Sequence, residues 1–296
     1  MATFTATTPS LGDIGATQDL DRNLRRQQAK DRFYKVGNRW HFWGSAVAIV
    51  LALVSPLVLV FEPTWGPTLG AAAGAWIFLS RLLFEPLKQG YQEKGATAQE
   101  LFDCDVLGLP WNGALVKQPA AEEIRSASKG FNEPKSVEKH SGWYPTDTDT
   151  PWPQSVIICQ RSNAVWARRQ HHAYARLLIL SAFAWLTFGI LLSALRGATL
   201  VAYLTTIALP SLPAALGAID VGKKHFAASN RRQDIEDKAN ALRDSDDVTH
   251  ADLRDLQDQI FALRRDAPPV AEWFYKLHKR TYETDMRYAA AEKSTP

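Results

Sequence analysis

The chain has 296 residues, a formal net charge of +3 at pH 7 and a composition that is 46% hydrophobic. That charge is too mild to imply a nucleic-acid polymer as partner, and what basic residues there are sit beside apolar runs, where they match anionic lipids. No cleavable signal is visible, because the first apolar run begins at Phe42, too far in and too long for a signal core.

In chain order, residues 1–18 are rich in Thr and Ala and almost uncharged, and read as a disordered tail. Residues 19–41 are dense in charge and helix formers, which predicts a cytoplasmic helix leading into a membrane. Trp40, His41, Phe42 and Trp43 mark its arrival at the headgroup level, where indole rings are favoured. Residues 42–85 make a first apolar hairpin, with spans at 42–60 and 69–84. A bilayer core about 30 Å thick needs roughly 20 mostly apolar helical residues to cross it. The second span is the shortest and carries Arg81 near its cytoplasmic end. Arg81 either snorkels to the headgroups or faces a pore or a neighbouring subunit. The same span opens with Gly70-Ala-Ala-Ala-Gly74, small residues that let helix backbones approach closely in lipid.

Residues 86–176 form a central segment. A helix is expected over 89–105, a short one over 122–129 and a polar loop over 130–140, with a further helix from 156 that runs into the third span. Residues 177–220 make the second hairpin, with spans at 177–195 and 198–219. Its second arm contains Pro210 and Pro213, which free helix carbonyls and either bend the helix for packing or provide a hinge or pore-lining break. Asp220 stands at the cytoplasmic mouth. Residues 221–296 read as a C-terminal helical segment. Thr249-His-Ala-Asp252 fits a capping box, and Leu253, Leu256, Ile260 and Leu263 form an apolar seam about two heptads long, suited to packing on the protein's own domain or to a coiled coil. A last helix is expected over 273–291, after Pro268-Pro269.

Lys and Arg beside spans are retained in the cytoplasm. Arg22, Arg25, Arg26, Lys30, Arg32, Lys35 and Arg39 precede the first span, and the turn at 61–67 has no basic residue. Lys88 and Lys94 follow the second span, and Arg161, Arg168, Arg169 and Arg176 precede the third. The second turn has Arg196 alone, whereas Lys223, Lys224, Arg231 and Arg232 follow the fourth span. Both termini and the central segment are therefore expected in the cytoplasm of a cell whose inner membrane holds the chain. Cys104 and Cys159 then lie on the reducing side, where buried thiols are the default. The fold class is mostly α: a polytopic membrane protein with four transmembrane helices in two hairpins and a helical cytoplasmic domain.

No catalytic set stands out. There is no phosphate-binding Gly-rich loop, no HExxH and no paired CxxC, so no catalytic residue, metal site or cofactor is assigned. His171 and His172 are adjacent, so on a helix they point about 100° apart and cannot grip one metal together. A mixed set, Gln160, Arg161, Asn163, Trp166 and Arg168, offers donors, cations and an aromatic face. These suit a phosphate and a base, and equally suit packing beside lipid phosphate. Arg81, Pro210, Pro213 and Asp220 are the candidates for gating a path through the membrane.

Three blocks resemble a known family: Leu101-Phe-Asp-Cys-Asp-Val-Leu-Gly-Leu-Pro-Trp-Asn112; Trp143-Tyr-Pro145 with Ile158-Cys-Gln-Arg-Ser-Asn163 and Trp166; and Leu256-Gln-Asp-Gln-Ile-Phe261 with Arg264, Pro268 and Trp273-Phe-Tyr275. The family is the four-transmembrane, pore-forming effectors associated with bacterial second-messenger oligonucleotide synthetases. The resemblance runs from about residue 19 to residue 288. It implies anti-phage defence by abortive infection. A cyclic oligonucleotide made on infection activates the effector in the inner membrane, and the protein acts as a homo-oligomer. Competing readings are a non-conducting membrane sensor or scaffold and a small transporter subunit.

The topology is directly checkable. Cysteine introduced at Thr64 or Ala198 should be labelled by an impermeant maleimide from outside intact cells, and cysteine at Gly130 should not. Labelling of Gly130→Cys from outside would overturn the orientation.

Overall fold

The computed structural model describes residues 4–129, 133–144, 150–275 and 277, and its regular structure among these is helical. Two long antiparallel pairs dominate it. Helix α2 (Asp21–Phe61) turns through a short 3-10 segment, Pro63–Trp65, into α3 (Gly66–Leu79), which continues through a π-turn at Ser80–Phe84 into α4 (Glu85–Val106). Helix α7 (Gln154–Leu195) turns into α8 (Leu200–Tyr203), which continues through a π-turn at Leu204–Ala208 into α9 (Leu209–Arg243). These four rods are long and apolar enough to cross a membrane. Each runs on beyond the apolar stretch into the extramembrane half. Helix α2 packs on α4, α7 packs on α9, and contacts of α2 with α9 join the pairs.

Most of the exposed large apolar side chains fall within residues 42–87 and 180–216. A surface of that extent suits hydrocarbon as solvent. Trp40 and Trp76 gather on Phe84, and the Trp76 indole donates to the Gly44 carbonyl at 3.1 Å. This ties the first pair together at one edge of the apolar band. In the second pair the helices approach closely at Gly189 and Gly222, where a Cβ would stand 2.8 Å from Ile207 Cγ2 and 2.7 Å from Ile179 Cγ1.

The two π-turns share a cause. Each ends two residues before a proline, Pro86 in one arm and Pro210 in the other. Proline removes an N–H and clashes with the carbonyl four residues back, so the helix widens by one residue at that point. Hydroxyls donate to backbone carbonyls around the second π-turn: Thr206 to that of Ala202 at 2.7 Å, and Ser211 to that of Ile207. Pro213 follows inside α9. Pro210 and Pro213 thus stand just after the π-turn, in the first turns of α9.

The extramembrane half closes around one core. Phe102, Leu107 and Leu109 from the end of α4, Val156, Ile157 and Cys159 from α7, Ile235 and Ala239 from α9, and Leu253, Leu256 and Ile260 from α10 (His250–Asp266) pack together. The apolar seam of α10 is spent on this core rather than on a coiled coil. The expected capping box is present, with Thr249 and Asp252 each accepting from the other's backbone N–H. Gly108 ends α4 in the left-handed conformation, φ +63°, and Leu109 N–H reaches back to the Cys104 carbonyl at 3.0 Å. That is the glycine-dependent helix stop. A Cβ there would also meet Thr7 Oγ1 at 2.2 Å.

Two sequence expectations are corrected. The tail over 1–18 is ordered from residue 4 onward as described: α1 (Leu11–Gln18) has a Ser10–Asp13 capping box, and Leu11 and Ile14 are buried in the core. Polar composition concealed two apolar anchors one turn apart. The loop expected over 130–140 instead carries the helix α6 (Pro134–His140), started by Pro134 in the first turn and following α5 (Ala121–Ala127). The final helix expected over 273–291 lies largely outside the described residues.

Candidate functional site

The polar interior of the extramembrane half is built by the segments that bear the family-like strings. Asp103, on α4, has no exposed surface. It accepts from Tyr144 Oη at 2.7 Å, from Gln257 Nε2 at 2.8 Å and from Arg264 Nη1. One turn earlier Glu100 accepts from Gln257 Nε2 at 2.9 Å and from Arg254. Arg254 also donates to the Pro110 carbonyl at 3.0 Å and to Asp258 at 2.7 Å, and Asn112 holds the other Asp258 oxygen at 2.7 Å. The string 101–112 and the string 256–264 are therefore two faces of one buried charge network. Burial pushes the Glu100 carboxyl upward against the pull of Arg254. On the outer side of α4, Asp105 pairs with Arg22 at 2.6 Å and Arg26 at 2.7 Å from α2. Burial pushes the Cys104 and Cys159 thiols up, so both are poor nucleophiles.

The residues proposed as ligand contacts occupy the same region with different duties. Gln160 is fully buried and donates to the Leu253 carbonyl at 2.8 Å and to Gln257 at 3.2 Å. Arg161 is held by Asn240 at 2.9 Å and Glu236 at 2.7 Å, and Arg168 meets Glu236 at 3.3 Å. Asn163 donates to Tyr144 Oη at 2.9 Å and lines a cavity of about 30 Å³ between α7, α9 and α10. Trp166 is half-buried edge-on to Tyr275, with ring centroids 5.4 Å apart. The structure brings all five onto one stretch of α7, where four of them contact α9, α10 or the Tyr144 side chain. Two further cavity residues, Arg232 and Arg264, lie in the C-terminal segment. Arg232 falls on the helical spacing of Ala228, Ile235 and Ala239, and Arg264 stands four residues after Ile260, but neither spacing reveals which partner a buried cation has.

The gating candidates lie apart from this region. Arg81 is exposed within the first π-turn, Pro210 is half-buried, and Pro213 and Asp220 are exposed. Gly70 and Gly74 meet nothing within 4 Å, so the small-residue face of α3 has no partner among the described residues.

A second buried polar contact lies between the core and the apolar band. His171 of α7 and His225 of α9 meet Nδ1 to Nδ1 at 2.7 Å, with the Tyr174 ring edge-on at 4.9 Å from His225. His172 points instead to Phe226. Burial, with the nearby Arg232 charge, holds both imidazoles below their usual range, His225 at about 3. The pair is neutral at pH 7, one ring donating to the other. Among the described residues no group of three or more His, Cys, Asp or Glu is arranged to hold a metal ion.

Two predictions follow from these contacts. Asp103→Asn leaves Arg264 a buried cation without its counter-charge, and should cost about 3–5 kcal/mol. The paired change Asp103→Leu with Arg264→Met should recover most of that loss in thermal unfolding. If it does not, the network is not the charge pairing described. The second concerns pH. An unfolded histidine takes a proton near pH 6.5, whereas folded His225 resists it until about pH 3. The unfolded state therefore binds more protons across that window. Stability from this pair is complete above about pH 6.5 and falls by about 1.4 kcal/mol per unit per histidine as pH drops. Unfolding measured from pH 7 to pH 4.5 should show this slope, and His225→Gln should flatten it. An unchanged slope in the variant would exclude the pair as its source.

The chain is similar, at 25% identity over 281 residues, to a Bacillus cereus (strain VD146) protein named probable CBASS effector molecule, covering 91% of this chain and 94% of the relative. No solved structure matches. The model of the SMODS-associating 4TM effector domain matches residues 12–293, and the chain belongs to that family.

Proposed function

We propose that this chain is the membrane effector of a cyclic-oligonucleotide-triggered anti-phage system. It sits in the bacterial inner membrane with both termini in the cytoplasm. Binding of the second messenger to the cytoplasmic half rearranges oligomerised spans into a conducting path, and the infected cell stops growing before phage mature. Family membership and the name of the Bacillus cereus relative support the defence role.

The observation that carries the mechanism is the continuity of the rods. All four apolar stretches are direct extensions of helices that pack in the extramembrane half, and one of them, α4, carries Glu100 and Asp103 of the buried charge network. A change in how α4, α7, α9 and α10 pack is therefore a change in where the spans stand. Four helices are too few to enclose a wide aqueous path, so conduction requires several copies. The unpartnered face of α3 at Gly70 and Gly74 is a surface on which helices of separate copies pack closely. The π-turn with Pro210 and Pro213 supplies the bend that differs between closed and open states.

Proteoliposomes loaded with a self-quenched dye provide the test. Purified protein should leak on addition of the cognate cyclic di- or trinucleotide and stay sealed with linear dinucleotides. Pro210→Ala with Pro213→Ala should insert normally and leak several-fold less. Undiminished leakage in that variant removes the hinge. Sealed vesicles with every cyclic nucleotide that the protein binds remove the pore and leave a non-conducting sensor.

A further inference from the structure

Arg232 is only 6% exposed, yet its recorded acceptor is the backbone carbonyl of Ala228, at 3.1 Å on its own helix. No carboxylate among the described residues pairs with it. It lines the cavity of about 30 Å³ between α7, α9 and α10, together with Arg264, Asn163, Ala167, Ile235 and Leu263. Arg264 gives Nη1 to Asp103, while its Nη2 is buried without a partner. Two guanidiniums thus meet at one void, where Asn163 is the other polar side chain in the lining and no carboxylate contributes. A buried cation with no counter-charge is unfavourable unless something supplies the charge. The planar donor fork of Arg matches the oxygens of a phosphate.

We propose that this cavity is a phosphate-binding site. One phosphate group enters between Arg232 and Arg264, and the rest of the ligand stays outside, along the rim formed by half-buried Asn163 and Ala167. A void of about 30 Å³ has room for about two water-sized groups, the oxygens on one edge of a phosphate, and not for a nucleoside. The identity of the ligand rests on the function proposed above: a cyclic oligonucleotide presents such a phosphate, and so does a lipid headgroup. Arg232 lies about 18 Å along α9 from Asp220, at the end of the span, which favours the soluble source.

The test uses the full chain in phosphatidylcholine nanodiscs, with thermal unfolding followed at constant ionic strength while sodium pyrophosphate or cyclic di-AMP is titrated. The wild-type midpoint should rise and saturate. Arg232→Lys should keep part of the rise, and Arg232→Gln should need at least tenfold more ligand. Without ligand Arg232→Gln should melt no lower than wild type, since it removes an unpaired buried charge; this separates lost binding from lost folding. In phosphatidylglycerol discs, an unchanged rise assigns the site to soluble phosphates. A midpoint already raised, with no further response, assigns it to lipid. Equal ligand responses in wild type and Arg232→Gln overturn the site, as does the absence of any response in wild type to both ligands and both lipids. The readout is unfolding rather than leakage. A protein that binds but never leaks therefore loses the pore and keeps the site, and one that leaks with an insensitive Arg232→Gln loses the site and keeps the pore.

Discussion

The Asp103 carboxylate organises the extramembrane half. It is buried without exposed surface, and Tyr144, Gln257 and Arg264 converge on it with the hydrogen bonds and counter-charge that such burial requires. Those partners come from the central loop and from α10, while Asp103 itself is on α4. Meeting its needs fixes three separate stretches of chain relative to one another. Glu100 and Arg254 repeat the arrangement one turn away. Hydrophobic contacts around Phe102, Leu107 and Leu256 supply most of the burial, but they are permissive about register. The charged contacts are not, because a slip of one residue leaves an ion unpaired.

The same need for pairing explains how the sequence could be read. Membrane spans were legible because hydropathy over about 20 residues has no other common cause. The α10 capping box and its apolar seam were legible because both are local patterns, and the structure shows each. The buried partnership of Asp103 and Arg264 was not legible. Its members stand 161 residues apart in sequence, and no local pattern links them. The N-terminal tail was misread for a different reason. Two apolar residues, Leu11 and Ile14, are too few to raise a hydropathy signal, yet each is almost wholly buried. The Ser10–Asp13 box was the one available cue.

The residues selected on α7 for their chemistry show a similar limit. Gln160, Arg161 and Asn163 do have the donors a phosphate would want, but Gln160 and Arg161 spend them on Leu253, Gln257, Asn240 and Glu236. Sequence reports which donors exist and not which are already engaged. Arg232, one of several basic residues in α9, looked like one more cation after a span. Its significance comes from the lack of a counter-charge, a property of three-dimensional neighbours alone.

The network of Asp103 also has a consequence for biogenesis. Arg264 follows Asp103 by 161 residues, and the whole second hairpin lies between them. A ribosome delivering this chain to the membrane releases α4 long before α10 exists. Through that interval Asp103 and Glu100 remain solvated, and the domain stays open. It closes only after the second hairpin has been delivered and α10 has emerged. No truncated or half-inserted product therefore contains the parts needed to assemble the extramembrane half.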